Sequence, residues 1–254
     1  MTDPSKEIFD NYLRNYERRG KGYFRSLEDV RALHLDRLPR WIARIGKDAP
    51  ILDAGCATGY QLGLLHGMGY TRLTGVDVSA QLIETARSLL PPQVALKLAD
   101  IREFLGQTPD GAYDVILFHH VIEHIPREHT IGLLREFRRC LAKGGYLSLK
   151  TPNVACLLGG YHGFGDFTHV VQFNEFSLLQ VLERAGFDAE QVEFVLHTPK
   201  LFWSFRHPLR AVMRVLNRLR WRLNKMVHRV VCILLDLRPA PRVSEWELEV
   251  LARK

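Results

Sequence analysis

The sequence has little that would place it within a membrane or in an oxidising compartment. No apolar run approaches the roughly 20 residues that a membrane-spanning helix needs. The opening stretch, MTDPSKEIFDNYLRNYERRGKGY, carries charge throughout, where a secretory signal would be apolar. Only four cysteines occur, without the paired spacing of a zinc site: Cys56, Cys140, Cys156 and Cys232. We therefore expect a cytoplasmic chain with reduced thiols and no disulfide framework.

The positive charge is confined to one segment. The 254-residue chain has a net charge of +7, but residues 200–242 hold eleven Lys and Arg against one acid, a surplus of +10, so the rest is −3. This shift in composition suggests the following organisation: an N-terminal helical cap over 1–45, a core over 46–199, a basic amphipathic helical insertion over 200–242, and the final strand of the core over 243–254.

Apolar runs alternate with amphipathic helical patterns after the first fifty residues. Strands are predicted at 50–55, 72–79, 95–100, 113–120, 145–153, 191–198 and 245–254. Helices are predicted at 59–68, 79–90, 101–106, 127–142 and 175–185, and two more at 5–18 and 26–45. This alternation predicts an α/β protein with a Rossmann-like, doubly wound sheet of seven strands and helices on both faces.

The stretch ILDAGCATGYQLG at 51–63 is a glycine-rich loop that follows a strand. A P-loop is excluded because Tyr60 and Gln61 stand where Lys and Ser/Thr would bind a triphosphate. A dinucleotide fingerprint would need a glycine at Ala57. Asp53, just ahead of the loop, would repel a pyrophosphate and would suit a ligand that carries an ammonium group.

Two further acids end the next two predicted strands. Asp77 can accept hydrogen bonds from ribose hydroxyls, and Asp100 can accept the exocyclic amine of adenine, with Ile101 beside the ring. Three carboxylates at successive strand ends, with no basic residue in the loop, favour a nucleoside without phosphate. S-adenosylmethionine has these features: adenine, ribose, a sulfonium cation and an amino-acid tail.

With these motifs the sequence resembles the class I S-adenosylmethionine-dependent methyltransferases, in order, from residue 50 to about 187. The fourth and fifth strand motifs, YDVILFHHVIEHI and LLREFRRCLAKGGYLSLKTPN, match as well. The resemblance implies an antiparallel last strand, S-adenosylhomocysteine as the product, and a set of cofactor-binding residues: Asp53, Gly55, Ala57, Gly59, Asp77, Val78, Asp100, Ile101 and His119. A nucleotide-binding protein without methyl chemistry is the alternative.

The end of the fourth strand, HHVIEH, offers candidates for acceptor chemistry. It is unlike the motif of DNA N-methyltransferases, which argues against a DNA substrate. Quinone-biosynthesis O-methyltransferases place an acid and then Glu-His here to hold a divalent metal. This chain has His120 at the acid position, followed by Glu123 and His124, so we assign no metal ligands and leave a metal open.

A second cluster, GFGDFTH at 163–169, lies in a loop after the fifth strand. It resembles a sub-group of these methyltransferases that is associated with polysaccharide and O-antigen biosynthesis. Asp166 could orient the imidazole of His169, which makes His169 the preferred general base, with His120 as the second candidate. The alternative is that Asp166 and His169 only brace the loop.

Residues 209–234 form a basic amphipathic helix in the predicted insertion, with Arg and Lys on one arc and Leu, Val and Met on the other. It could pack on the domain, lie on an anionic membrane surface, or, as the weakest reading, bind nucleic acid.

We therefore expect an O-methyltransferase that modifies a sugar hydroxyl of a lipid-linked polysaccharide, cytoplasmic and peripheral at the inner face of the membrane. The alternatives are a lipophilic small-molecule acceptor such as a quinone precursor, and a non-catalytic protein that binds membrane or RNA.

Overall fold

A computed structural model describes residues 40–196 and 208–254. The predicted helix at 5–18, most of the one at 26–45, and the end of the predicted strand at 191–198 lie outside the described residues. Of the proposed cap, the structure describes a short 3-10 helix over Arg40–Arg44.

The centre of the structure is a seven-stranded sheet. Its strands are β1 Ile51–Ala54, β2 Leu73–Asp77, β3 Ala95–Leu98, β4 Tyr113–His119, β5 Leu141–Pro152, β6 Val192–Phe194 and β7 Glu247–Arg253. They lie in the order β3-β2-β1-β4-β5-β7-β6. The first five strands are parallel, and β7 runs antiparallel to both β5 and β6. The predicted seven-stranded Rossmann-like fold with an antiparallel last strand is confirmed.

Seven α-helices are described: α1 Tyr60–Gly67, α2 Ala80–Leu89, α3 Ile101–Gly106, α4 Arg127–Cys140, α5 Gly159–Phe164, α6 Glu175–Arg184 and α7 Pro208–Leu234. Capping hydrogen bonds explain where two of these helices begin. Ser79 Oγ accepts the N–H of Leu82 at the start of α2, and Asn174 and Ser177 form a reciprocal capping box at α6. The main difference from prediction is at the end of α4, because Leu141 already pairs with Tyr113 as part of β5.

Buried side chains cover both faces of the sheet. On one face, Phe118, Phe137 and Leu182 belong to the larger cluster, to which α3, α4 and α6 contribute. On the other face, Ile51 and Tyr70 belong to a smaller cluster with residues of α1, α2 and the 3-10 helix at 40–44. Because helices cover both faces, the carboxyl edge of the parallel strands is the part of the sheet left for a ligand.

The chain returns from α7 to the sheet through a hydrogen-bonded anchor. Asn153, fully buried at the end of β5, donates its side-chain amide to the carbonyls of Val243 and Glu245, both at 2.9 Å. Glu175, at the start of α6, accepts the N–H groups of Arg242 and Val243 at 2.9 and 2.8 Å. These bonds fix the position at which β7 enters between β5 and β6.

Replacement of Asn153 by Ala tests this anchor. The carbonyls of the buried Val243 and the half-buried Glu245 would lose their donor, so the free energy of unfolding should fall by about 2–4 kcal/mol. The check is urea unfolding of the purified protein. Asn224→Ala is the matched control, because the exposed Asn224 makes a single 3.4 Å bond to the carbonyl of Ser244, and its loss should cost about 0.5 kcal/mol or less. Equal losses of unfolding free energy in the two variants would show that Asn153 does not anchor this segment.

Candidate active site

Four side chains lie at the carboxyl ends of neighbouring parallel strands. Asp53 is in β1, Asp77 ends β2, Asp100 follows β3 and His119 ends β4. Since β3, β2, β1 and β4 are consecutive in the sheet, these ends meet at one edge. The structure therefore brings together the residues that the sequence predicts to bind the cofactor, although their contacts with it remain predictions.

The glycine-rich loop after β1 runs through three left-handed residues. Gly55, Ala57 and Gly59 have φ values of 81°, 48° and 76°. A Cβ at Gly55 would lie 2.3 Å from Val121 Cγ2, and one at Gly59 would lie 2.4 Å from Leu90 Cδ1. Both glycines are thus required by close approach as well as by conformation. Ala57 takes the same conformation at a modest strain.

Asp77 joins this loop to the end of β2. Its Oδ2 accepts the N–H of Ala57 and its Oδ1 accepts the N–H of Ser79, both at 2.9 Å. Burial raises the pKa of Asp77, and the hydrogen bonds from Ser79 and Ala57 partly offset that effect. A carboxylate has about four acceptor positions, so Asp77 keeps capacity for a hydroxyl, as the ribose prediction requires.

Asp100 is already paired with a cation. Its carboxylate accepts the backbone N–H of Arg102 at 2.8 Å and pairs with the Arg102 guanidinium at 2.8 Å. The hydrogen bond from the Arg102 side chain holds the pKa of Asp100 below its ordinary value. An adenine amine would share this carboxylate with Arg102, which sequence reasoning missed. Val78 is 60% exposed and offers apolar surface on the same edge, with Ile101 half-buried at the start of α3.

Asp53 is buried beneath the loop, with 2% of its surface exposed. Burial, and then the charge of Asp77, raises the pKa of Asp53 to about 7. A cation beside this carboxylate would favour its ionised form. The environment of Asp53 therefore fits the predicted contact with an ammonium group.

His119 is held from both sides of its ring. Gln61 Nε2 donates to Nδ1 at 2.8 Å, so the protonated Nε2 donates to Ser148 Oγ at 2.9 Å. Burial, and then the positive charge of Lys150, holds the pKa of His119 well below its ordinary value. A neutral His119 thus ties the tip of β4 to α1 and β5, and Gln61 is a partner that the sequence did not reveal.

His120 lies between two carboxylates. Its Nε2 is 2.7 Å from Glu247 Oε1, and its Nδ1 is 3.6 Å from Glu123 Oε1. Burial opposes the charged form, but hydrogen bonds to Glu123 and Glu247 outweigh it and raise the pKa of His120 to about 9. At neutral pH the ring is therefore an imidazolium and carries no lone pair for a proton. This charge state argues against His120, the second candidate base.

Asp166 orients a different histidine from the one expected. Its Oδ1 accepts the Thr168 hydroxyl at 2.7 Å, and the Thr168 oxygen in turn accepts His124 Nδ1–H at 2.9 Å. Asp166 thus reaches His124 through Thr168, whereas its predicted pairing with His169 stays a prediction. His169 is oriented instead by the carbonyl of Gly163, which lies 2.8 Å from Nδ1.

The rings of His124 and His169 stand edge to face, with centroids 4.7 Å apart. Burial lowers the pKa of His124, so that ring is neutral at physiological pH. Sequence reasoning noted His124 but gave it no role as a partner of His169. The two histidines and Glu123 each offer a ligand atom, and these atoms lie within 4.8 Å of one another, so the three side chains could hold a divalent ion.

Comparison with known proteins identifies the type of domain. A family model described as "Methyltransferase domain" matches residues 26–192. A probable S-adenosylmethionine-dependent methyltransferase of Mycolicibacterium smegmatis is 29% identical over 152 residues, which are 60% of this chain and 56% of that protein. A ubiquinone biosynthesis O-methyltransferase of Nitrosococcus oceani is 28% identical over 135 residues, which are 52% of this chain and 55% of that protein. The chain thus spans about half the length of these relatives.

A solved structure shares the fold along the whole chain. It is that of a SAM-dependent methyltransferase from Archaeoglobus fulgidus, with a TM-score of 0.63, 22% identity, and coverage of 98% of this chain and 99% of that one. At this identity the likeness concerns the fold alone. The matched relatives do not distinguish the polysaccharide-associated sub-group from others.

The buried carboxylate of Asp53 predicts that binding of S-adenosylmethionine releases a proton. With a pKa of about 7 in the unliganded protein, Asp53 is partly protonated at neutral pH and becomes ionised when a cation binds. Affinity should therefore fall as pH falls, by roughly five- to tenfold from about pH 7.5 to about pH 6. Calorimetry in buffers of different ionisation enthalpy measures both the affinity and the released proton.

Asp53→Asn is the control for this linkage. The amide keeps the shape of the side chain but cannot ionise, so the variant should bind more weakly and with little dependence on pH over the same range. A pH-independent affinity in the unmodified protein would show that Asp53 does not face the cation.

Proposed function

Because the chain belongs to the class I S-adenosylmethionine-dependent methyltransferases, we propose that it methylates a sugar hydroxyl of a lipid-linked polysaccharide. The cofactor is S-adenosylmethionine and the product is S-adenosylhomocysteine. Methyl transfer from the sulfonium is an in-line displacement by the acceptor oxygen, in which the C–S bond breaks as the C–O bond forms. The protein has to align the acceptor, exclude water and take up the hydroxyl proton.

The observation that supports an oxygen atom as the methyl acceptor is the tautomer of His169. The Gly163 carbonyl can only accept a hydrogen bond, so Nδ1 carries a proton, and in the neutral form of the ring the lone pair is on Nε2. We assign the proton of the acceptor hydroxyl to this Nε2. The neutral ring of His124, 4.7 Å away, does not repel the imidazolium that forms.

The loop that carries His169 is tied to the cofactor edge. The N–H groups of Val170 and Val171 donate to the Glu123 carbonyl at 2.8 and 3.1 Å. Glu123 follows Val121 in the chain, and a Cβ on Gly55 would collide with the Val121 side chain. The candidate base and the glycine loop are thus linked through one short segment, which supports a common site.

Exposed aromatic rings next to this segment support a sugar as the acceptor. The rings of His162 and Trp246 have centroids 5.3 Å apart, and His120 stacks on Trp246 at 6.2 Å. Tyr161, Phe164 and Phe167 are 76%, 73% and 83% exposed. Aromatic faces beside charged groups suit a ligand with both apolar faces and hydroxyls. The GDFTH sequence at 165–169 adds the resemblance to the polysaccharide-associated sub-group.

A lipophilic small molecule such as a quinone precursor is the second candidate acceptor. The matched Nitrosococcus protein is a ubiquinone biosynthesis O-methyltransferase, and the same aromatic rim would bind a ring. In that case Glu123, His124 and His169 would hold a divalent ion, and His169 would not be the base. A non-catalytic protein that uses the same fold to bind membrane or RNA is the third candidate.

Replacement of His169 tests the base. His169→Asn should lower kcat by about 100- to 10,000-fold with little change in KM, and should abolish the acidic limb of the pH profile. The assay follows labelled methyl groups from S-adenosylmethionine to a polyprenyl-diphosphate-linked oligosaccharide fraction, with a catechol as the second acceptor. The control is His129→Asn, an exposed residue on α4, which should behave like the unmodified enzyme.

Two results would contradict the first proposal. Transfer to the catechol alone, abolished by EDTA, would favour the quinone-type acceptor and the metal. An unchanged pH profile in His169→Asn would show that His169 takes up no proton.

Replacement of Asp77 separates an enzyme from a binding protein. Asp77→Ala removes the carboxylate that the ribose hydroxyls and the N–H of Ala57 would share, so cofactor affinity should fall by about 100-fold, and turnover with it. Calorimetry with S-adenosylhomocysteine measures the affinity. Glu84→Ala on the exposed face of α2 is the control and should bind normally. Loss of affinity with no methyl transfer in the unmodified protein would favour the non-catalytic candidate.

A further inference from the structure

We propose that the outward apolar face of α7 docks on an anionic membrane surface, which deepens the proposed function because a lipid-linked acceptor is held there. Of the described residues, 40–196 and 208–254, no helix could cross a membrane. Docking would place the protein on the surface of the membrane.

The side of α7 that meets the domain is polar. Trp221 Nε1 donates to Glu245 Oε1 at 3.1 Å, and His228 Nε2 donates to the carbonyl of Ala155 at 3.1 Å. Cys232, one turn beyond His228, is buried. Residues 221, 228 and 232 fall within one narrow arc of the helix, at about 100° per residue. This arc fixes which way α7 faces.

The opposite arc of α7 is apolar and exposed. The sequence suggested packing on the domain as one alternative, in which the apolar arc would be buried and the basic arc solvated. In the structure the apolar arc is instead exposed. Eight of its side chains are between 48% and 77% exposed: Val212, Leu216, Leu219, Leu223, Met226, Val230, Ile233 and Leu234. Such a continuous apolar stripe on a helix surface marks an interaction site.

Basic side chains border the stripe on both sides. Arg220 lies on one flank, and Arg222 and Arg229 lie on the other, and all three are exposed. The single acid of residues 200–242, Asp236, lies just beyond the end of the helix and is paired with Arg238 at 2.7 Å. An apolar stripe between cationic flanks is complementary to an anionic bilayer surface, in which acyl chains lie beneath negative headgroups.

The domain-facing side of α7 is attached to the segment that precedes the candidate acceptor rim. The bond from His228 to Ala155 attaches α7 to the segment that leads into α5. In that segment Leu157 and Leu158 are 41% and 67% exposed, and Tyr161 follows at 76%. Exposed apolar side chains therefore extend from the attachment point of α7 to the aromatic rim. This continuity favours a membrane that holds the acceptor over a protein partner elsewhere.

Vesicle sedimentation tests the proposal with the full chain. The probes are vesicles of phosphatidylcholine alone and vesicles in which about a third of the lipid is phosphatidylglycerol. The unmodified protein should sediment with the anionic vesicles and much less with the neutral ones, and added salt should weaken binding. Arg222→Glu with Arg229→Glu should weaken binding by about tenfold or more, and Leu219→Glu with Leu223→Glu should abolish it.

The matched control carries the same change of net charge away from α7. Arg72→Glu with Arg127→Glu replaces two exposed arginines that lie outside α7, and this variant should bind vesicles as the unmodified protein does. Calorimetry with S-adenosylhomocysteine shows whether each variant is folded. Methylation of a detergent-dispersed acceptor should persist in the α7 variants, so that failure of docking is distinguished from failure of the proposed function.

Three results would overturn docking. They are no sedimentation with anionic vesicles, equal sedimentation with both vesicle types, or vesicle binding by the α7 variants that equals that of the unmodified protein. Size-exclusion chromatography with light scattering addresses a second copy of the chain as the occupant. A dimer that Leu219→Glu with Leu223→Glu dissociates, together with absent vesicle binding, would assign the stripe to self-association and would also overturn the proposal.

Discussion

The hydrogen bond from the N–H of Ala57 to the carboxylate of Asp77 is the contact on which the cofactor edge depends. It joins the left-handed turn after β1 to the end of β2, and so it sets the width of the opening between two parallel strands. The glycines on either side of Ala57 allow this turn because the chain there approaches Val121 and Leu90 too closely for a side chain. The glycine-rich loop and the carboxylate that is predicted to bind the ribose are thus a single hydrogen-bonded unit.

A group of three charged side chains lies on the side of the proposed acceptor. His120 links Glu123, after β4, with Glu247, at the start of β7. The His120 imidazolium thus holds two carboxylates together next to the proposed base and the aromatic rim. The antiparallel strand β7 therefore does more than complete the sheet, because it brings Glu247 and Trp246 to an edge otherwise formed by parallel strands. The proposed acceptor site therefore draws side chains from the end of β4 and the start of β7.

The fold and the cofactor edge could be predicted from sequence because their determinants are local. Asp77 and Asp100 each end an apolar run, and glycines at 55 and 59 form a recognisable turn, so short windows of sequence were sufficient. The acceptor side could not be predicted in the same way. Glu247 reaches His120 only through sheet order, and Thr168 between Asp166 and His124 is a matter of side-chain direction.

The orientation of α7 could not be predicted from the sequence either. Periodicity divides its residues into an apolar and a basic arc, but it cannot say which arc meets the rest of the protein. That choice depends on Glu245 and Ala155, which receive Trp221 and His228. Specific hydrogen bonds to a polar arc thus decide an orientation that burial of the apolar arc would have reversed.

The position of β7 between β5 and β6 has a consequence for α7. Because the sheet is completed by a strand that follows the helix, both ends of α7 are joined by the chain to neighbouring parts of one sheet. The bonds of Trp221 to Glu245 and of His228 to Ala155 also hold α7 at one angle to the strands. Whatever surface α7 rests on, the catalytic cleft would then meet that surface at a fixed tilt and height.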